Sequence, residues 1–320
     1  MKLIILIPLL FSNLVFAADI VFISGQERLQ EIERFELRSN ALVEAFSTGD
    51  MVGNGGGLLE QNFYQAYYLV QSAIENCLYD SVCALTSKQE NLLRAINQTY
   101  ILKIDQETPL VFLKEEQAGG FFSEDEGKET RLAMTGFSEK FPIFINTTLA
   151  LSISENIPAI IGILIHELGH QAGVLNHSAL DELSIKVRSL YDDNWVESKI
   201  RAGGRLLNAR LFSSKNNFTT ASLSLVFDQK VLSLDSLIAK EVSCLPGESV
   251  YGFYLSNGAW QRPTSSRSKF TIGLNYWIDI YCMDNEGTIW PIQKDLKLKF
   301  EFEKLLDFLT KIKSVEAQIN

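Results

Sequence analysis

Histidine is the scarcest residue in this chain: there are three in 320 positions, beside four cysteines, four methionines and seven prolines. Each shortage narrows the possibilities. None of the four cysteines forms a C-x-x-C pair, which argues against a cysteine-ligated zinc. Basic residues are in deficit, 29 Lys+Arg against 39 Asp+Glu for a net charge of −10, and they form no local cluster. A chain of this balance repels phosphate backbones and anionic surfaces, so nucleic acid and anionic membranes are poor partners. Beyond residue 17 no apolar run approaches the ~20 residues that cross a bilayer, so the mature chain is expected to have no stable membrane insertion. Internal repeats and low-complexity segments are also missing.

What is present is concentrated. All three histidines fall in one window, as His166-Glu167-Leu168-Gly169-His170 followed by His177. On a helix, residues i and i+4 share a face, so His166 and His170 can offer imidazole nitrogens to one tetrahedral metal ion. Glu167 adjoins the first ligand, where its carboxylate can accept a proton from a metal-activated water. The surrounding residues support a buried helix over positions 155 to 172. The apolar run Ile157, Ala159, Ile160, Ile161, Ile163, Leu164, Ile165 leads into His166, Pro158 suits a first helical turn, and Gly173 suits the position just past the end. A helix whose histidines merely hydrogen-bond in the core is the competing reading, but core packing does not ask for His, Glu and His at this spacing.

On His166, Glu167 and His170 the chain resembles the zincin superfamily of zinc metallopeptidases. It follows the metzincin extension H-E-x-x-H-x-x-G through Gly173 and then departs: Asn176 stands where that pattern has its third histidine, and His177 comes one residue late. No Met-turn is visible, because the only methionine beyond the motif is Met283. His177 is the first choice for third ligand. Asp181 and Glu182 are the alternatives, by likeness to the gluzincin pattern, in which a following helix supplies a carboxylate. Ser178 and Asp181 also make a capping pattern for a second helix (Leu180, Leu183, Val187, Leu190, Tyr191), and Asp181 could orient the His177 ring. Three protein ligands leave a position open for water, as catalytic zinc sites do. The resemblance implies Zn²⁺ as cofactor, a protein or peptide substrate, Glu167 as general base, and a sheet whose edge strand lines the cleft. Tyr191 is considered as an oxyanion-stabilising group, although a core tyrosine fits its helix equally well. A zinc hydrolase acting on a cell-wall amide would use the same chemistry, and a catalytically silent zinc-stabilised binding protein would have no need of Glu167.

Residues 1 to 17 read as a signal peptide: Met1-Lys2, an apolar core over Leu3 to Phe16, and a small-x-small site ending at Ala17. Its removal takes Lys2 alone among charged residues, leaving a net charge of about −11, and implies a secreted or periplasmic protein. The four cysteines fit that oxidising setting; Cys77 with Cys83 and Cys244 with Cys282 are the favoured pairs among three connectivities. Helical periodicity is expected over residues 25 to 47, 58 to 76 and 87 to 98, the last with a Ser87-x-x-Glu90 capping box. Strands are expected at Leu110 to Leu113, Thr130 to Met134 and Phe141 to Ile145. The glycine run Gly53 to Gly57 reads as a flexible loop, and the acidic Ser123 to Gly127 as a solvated hairpin tip. From residue 217 onward the pattern has period two, and residues 269 to 282 with the turn Asp284 to Gly287 read as a hairpin. The expected architecture is α+β: a zincin-like domain over residues 18 to 214, then a β-rich domain over residues 215 to 320.

Overall fold

The computed structural model describes residues 20–46, 57–79, 83–104, 106, 108–123, 130–213, 221–228, 230–266, 268–305 and 308–320. The N-terminal segment 1–17, most of the glycine run and most of the acidic loop lie outside the described residues. The chain is α+β. Three helices come first: α1 (Gly25–Phe46), α2 (Leu58–Tyr79) and α3 (Ser87–Lys103). A small sheet follows with β1 (Leu110–Leu113), β2 (Ala133–Met134) and β3 (Ile143–Asn146), then the short α4 (Thr147–Ala150), the motif helix α5 (Ile157–Gln171) and α6 (His177–Asn194).

The small sheet has the order β1-β3-β2, with β1 parallel to β3 and β2 antiparallel at the edge. β3 is buried along its whole length, as expected of a central strand, and β2 covers only the last two residues of the strand expected over Thr130 to Met134. Asn146 ends β3 and caps α4, its Oδ1 accepting the amides of Thr148 and Leu149. The cap of α3 lies one residue earlier than the Ser87-x-x-Glu90 reading. Thr86 Oγ1 accepts the Gln89 amide and Gln89 Oε1 accepts the Thr86 amide, because Thr86 is the residue in extended backbone. Helices α2, α3, α5 and α6 share one core with β1 and β3, through Phe63, Val70, Leu92, Ile96, Ile160, Leu164 and Leu183 among others.

The strand-rich part starts at Trp195, where α6 ends. An antiparallel meander of β4 (Trp195–Ala202), β5 (Arg205–Phe212), β6 (Ser222–Phe227) and β7 (Lys230–Ser233) precedes α7 (Asp235–Glu241). β5 and β6 therefore pair across the boundary expected between residues 214 and 215. The second sheet has β8 (Ser249–Trp260), β10 (Lys269–Met283), β11 (Ile289–Leu305) and β12 (Phe308–Ile319), with the short β9 (Thr264–Ser265) on β10. The β10–β11 hairpin turns where expected: Asp284 Oδ1 accepts the amides of Glu286 and Thr288, and Gly287 takes a positive φ of 83°. The two antiparallel sheets bury their alternating apolar faces against each other, with Leu207, Leu225, Phe227, Ile278, Leu298 and Phe302 in one cluster. Disulfides join Cys77 to Cys83 and Cys244 to Cys282, the favoured pairs.

Candidate metal centre

Helix α5 is held from both ends. Asn156 Oδ1 accepts the Ala159 amide at the start, beside Pro158 in the first turn. At the end Gly173 takes φ +98°, the Val174 amide bonds back to the Gly169 carbonyl and the Gly173 amide to that of His170. This pair of bonds closes the helix and sends the chain sharply toward α6. The N-terminal segment braces the turn. Ile23 N–H donates to Gly173, Leu175 N–H donates to Val21, and Asn176 Oδ1 accepts the Val21 amide.

Two features bring α6 against the motif. Gly169 is the first, since a Cβ there would sit 2.2 Å from a methyl carbon of Leu180, so the helices approach closely only because the position lacks a side chain. The second is the start of α6 at His177, with Asn176 just before it. Asn176 is committed to Val21, so the residue at the metzincin ligand position serves as a brace, and His177 turns into the site from the first helical residue.

The three rings converge. His166 Nε2 lies 2.9 Å from His177 Nδ1, His170 Nε2 lies 3.1 Å from His166 Nε2, and His170 Nε2 lies 3.2 Å from His177 Nδ1. Ligand nitrogens around a tetrahedral Zn²⁺ at ~2.0–2.1 Å are spaced by about 3.3–3.4 Å, so the triangle fits such an ion closely. Two rings have their protons placed by neighbours: His166 Nδ1 donates to Asp181 Oδ1 at 2.8 Å and His170 Nδ1 to the Val174 carbonyl at 2.8 Å. Both Nε2 lone pairs therefore face the triangle, the arrangement metal-binding imidazoles adopt. Burial depresses the His166 pKa to about 4 and the His170 pKa to about 3, with the other rings adding to the shift, so both are neutral ligands at pH 7. His166, His170 and His177 could hold a metal ion.

Of the alternative ligands, Asp181 is brought to the site as the partner of His166, rather than as a cap for Ser178 or a support for the His177 ring. Glu182 faces away, accepting from Gln89 Nε2 at 2.8 Å and pairing with Lys186. Tyr191 is fully buried and stacked on Phe212 at 3.8 Å between ring centres, so it is a core residue and not part of the site.

Glu167 sits one helical step from His166, buried, and burial pushes its carboxyl up to about 8 while the charge of Arg131 pulls against that shift. It lies where two clefts meet. One, of about 910 Å³, runs between Thr130 to Ala133 and helices α5 and α6; the other, of about 400 Å³, is bordered by α1 and residues 134 to 137. Glu167, His177 and Arg131 line both. Arg131 escaped the sequence reading because it lies 35 positions upstream of the motif with no fixed spacing to it, and its place depends on how the residues before β2 cross α5. The Val174 carbonyl was equally hidden, since any residue can supply one. Compared with family models, curated proteins and solved structures, the chain matches none.

Proposed function

We propose that this chain is a zinc-dependent peptidase of the zincin type, exported from the cell. The observation that carries the reading is the convergence of three histidine nitrogens beside a buried glutamate, at the junction of two clefts. A purely structural metal site has four protein ligands and no need of such a carboxylate. Three imidazoles, two of them with protons held by Asp181 and Val174, suit Zn²⁺ in both donor type and spacing.

When bound, the ion would activate a water molecule and polarise a carbonyl. Glu167 takes the proton of that water and later delivers it to the leaving nitrogen. Its high pKa in the bare site reflects a dry environment, and a nearby cation shifts the balance back toward the carboxylate a base requires. Asp181 keeps His166 in one tautomer, and Val174 does the same for His170. β2 is the sheet edge next to the larger cleft, and an extended peptide laid there would pair with its backbone and pass over Glu167. Two disulfides, and the absence among the described residues of any helix long and apolar enough to cross a membrane, agree with an oxidising, extracytoplasmic setting.

Elemental analysis with turnover on a general protein substrate tests the reading. The chain should hold one equivalent of zinc, and Glu167→Gln should keep the metal while losing roughly 10²–10⁴-fold in turnover. Loss of zinc from that variant, or undiminished turnover, would remove Glu167 from its role.

A further inference from the structure

We infer that residues 21–28 form a strap that sets the metal affinity of this site, with Arg28 as its positioning residue, an inference that rests on the reading of His170 and His177 as ligands. Strap and metal each stabilise the other.

The strap begins as extended chain. Phe22 bridges Val174 in antiparallel fashion. Bonds from the Ile23 amide to the Gly173 carbonyl, from the Leu175 amide to the Val21 carbonyl and from the Val21 amide to Asn176 Oδ1 fall on either side of that bridge. Val21 and Phe22 are 49% and 54% exposed, so backbone bonds, not buried side chains, hold this part, and it can be released without opening the core. Ser24 and Glu27 then start α1 as a capping box: Ser24 Oγ accepts the Glu27 amide and Glu27 Oε2 accepts the Ser24 amide. The box fixes where extended chain becomes helix, and it places Arg28 in the first turn. Arg28 Nε donates to the Phe137 carbonyl at 2.8 Å and its Nη2 to the Gln171 carbonyl at 2.9 Å. A Cβ at Gly173 would lie 3.4 Å from Arg28 Nη1, so the extended segment and the guanidinium together enclose the Gly173 turn.

Both acceptors of Arg28 adjoin a ligand. Gln171 follows His170 in the chain, and the Phe137 ring meets the His170 ring edge to face with 5.8 Å between centres. The enclosed turn carries the Val174 carbonyl that holds the His170 proton, and it leads into His177 at the start of α6. One short piece of backbone therefore orients one ligand and places another. A guanidinium fork can tie the end of α5 to the loop after β2 through two carbonyls at once, which a single ammonium does not reproduce. Two consequences separate this role from others. Any free energy that the strap adds to metal binding must be returned by the metal to the strap. Charge alone works in the opposite sense, since a cation beside a cation site disfavours the metal and its removal should tighten binding.

Chelator competition and hydrogen–deuterium exchange on the full chain test this. Arg28→Met should bind zinc roughly tenfold more weakly than the parent, and Arg28→Lys, which keeps the charge and loses the fork, should be weakened as well. Asn176→Ala should also lose affinity, whereas Asn176→Asp, which still accepts the Val21 amide, should stay close to the parent. Leu207→Ala in the sandwich core should lower the urea midpoint and leave zinc affinity unchanged, which separates positioning from a general loss of stability. Zinc should slow exchange at the amides of Val21, Ile23 and Leu175 by at least the factor that Arg28→Met costs in affinity. If Arg28→Met does not fold, the Asn176 pair and the exchange rates decide. Unchanged or tighter zinc binding in Arg28→Met, an equal loss in Leu207→Ala, or strap amides whose exchange zinc leaves unaltered would each overturn the inference. A parent chain that binds no zinc would instead defeat the proposed function, and this inference with it.

Discussion

The helical part and the strand-rich part differ in what they bury. The sandwich of the second half encloses an apolar cluster closed by the Cys244–Cys282 bridge. The helical part buries Glu167, His170, Gln171, Lys103 and Asn62 among its apolar side chains. Each buried polar group has a desolvation cost that must be met by a partner. Lys103 Nζ donates to the carbonyls of Phe141 and Glu139, and Gln171 Nε2 to that of Phe141 and to Thr135 Oγ1. The helical part thus accepts several such groups, Glu167 and His170 of the site among them, while those of the strand-rich part gather at Asn208, Arg210, Ser213 and Ser224 of β5, β6 and the residue after β5.

The contrast is broken most strongly at the metal. His177→Ala should lower zinc affinity on the order of 10³-fold, Asp181→Ala about 10–100-fold because it frees the His166 ring, and Glu182→Ala should leave it nearly unchanged. Chelator competition ranks the three, and near-normal zinc binding in His177→Ala would end its assignment as a ligand.

Disulfide removal separates the halves next. The Cys244–Cys282 bridge spans 38 residues and Cys77–Cys83 spans 6, so chain entropy gives about 4 kcal/mol for the first and about 2 kcal/mol for the second. Urea unfolding of the two Cys→Ser double variants should preserve that order, with zinc affinity changed in neither. A larger loss from the short bridge would show that its role is local packing and not loop closure.

Legibility followed the same division. Glu167 and the three histidines could be read because one chemistry demands those residue types at that spacing, and the helices around them because apolar residues recur along one face. The hairpin of β10 and β11 was readable from alternation and an Asp-Asn-Glu-Gly turn. β4 and β5 were not. β5 reads Arg-Leu-Leu-Asn-Ala-Arg-Leu-Phe without alternation, since from Leu207 onward both its faces are buried. Its Arg210 is 1% exposed, held by Glu197 and by Asn62 of α2, so an apparently exposed charge is an interior one. The cap at Thr86, the partner of Asp181 and the place of Arg131 depend on how separate elements meet, and local spacing carries no trace of that.

Gly169 is where the helical half has least room to adjust. Leu180 is fully buried, so a methyl group at residue 169 cannot be relieved by turning that side chain outward. Gly169→Ala should cost about 1–3 kcal/mol by overpacking and weaken zinc binding by forcing α6 and His177 away from α5. Adding Leu180→Ala should recover zinc affinity even though it opens space elsewhere. If the double variant binds zinc no better than the single one, the close approach of the helices is not what positions His177.

The smallest expected effect reports directly on the cost of Glu167. In chelator-treated protein its folded pKa is about 8 against 4.5 in a free chain, so between those values the folded protein holds a proton that the unfolded chain has released. Stability from this group therefore falls as pH rises through that interval, and the cost is complete above pH ~8. His166 and His170 act in the other direction: with pKa values lowered to about 4 and about 3 they favour the fold increasingly as pH rises, up to the ordinary histidine value of 6.5, and are constant above it. The interval from pH 6.5 to 8 thus separates Glu167 from both. Across it, urea unfolding should show the parent losing on the order of 1 kcal/mol relative to Glu167→Gln. Saturating zinc should shrink the difference, because a bound cation stabilises the carboxylate in the folded state. Equal pH dependence in parent and variant would mean that Glu167 is ionised without a metal, and that its burial carries no such cost.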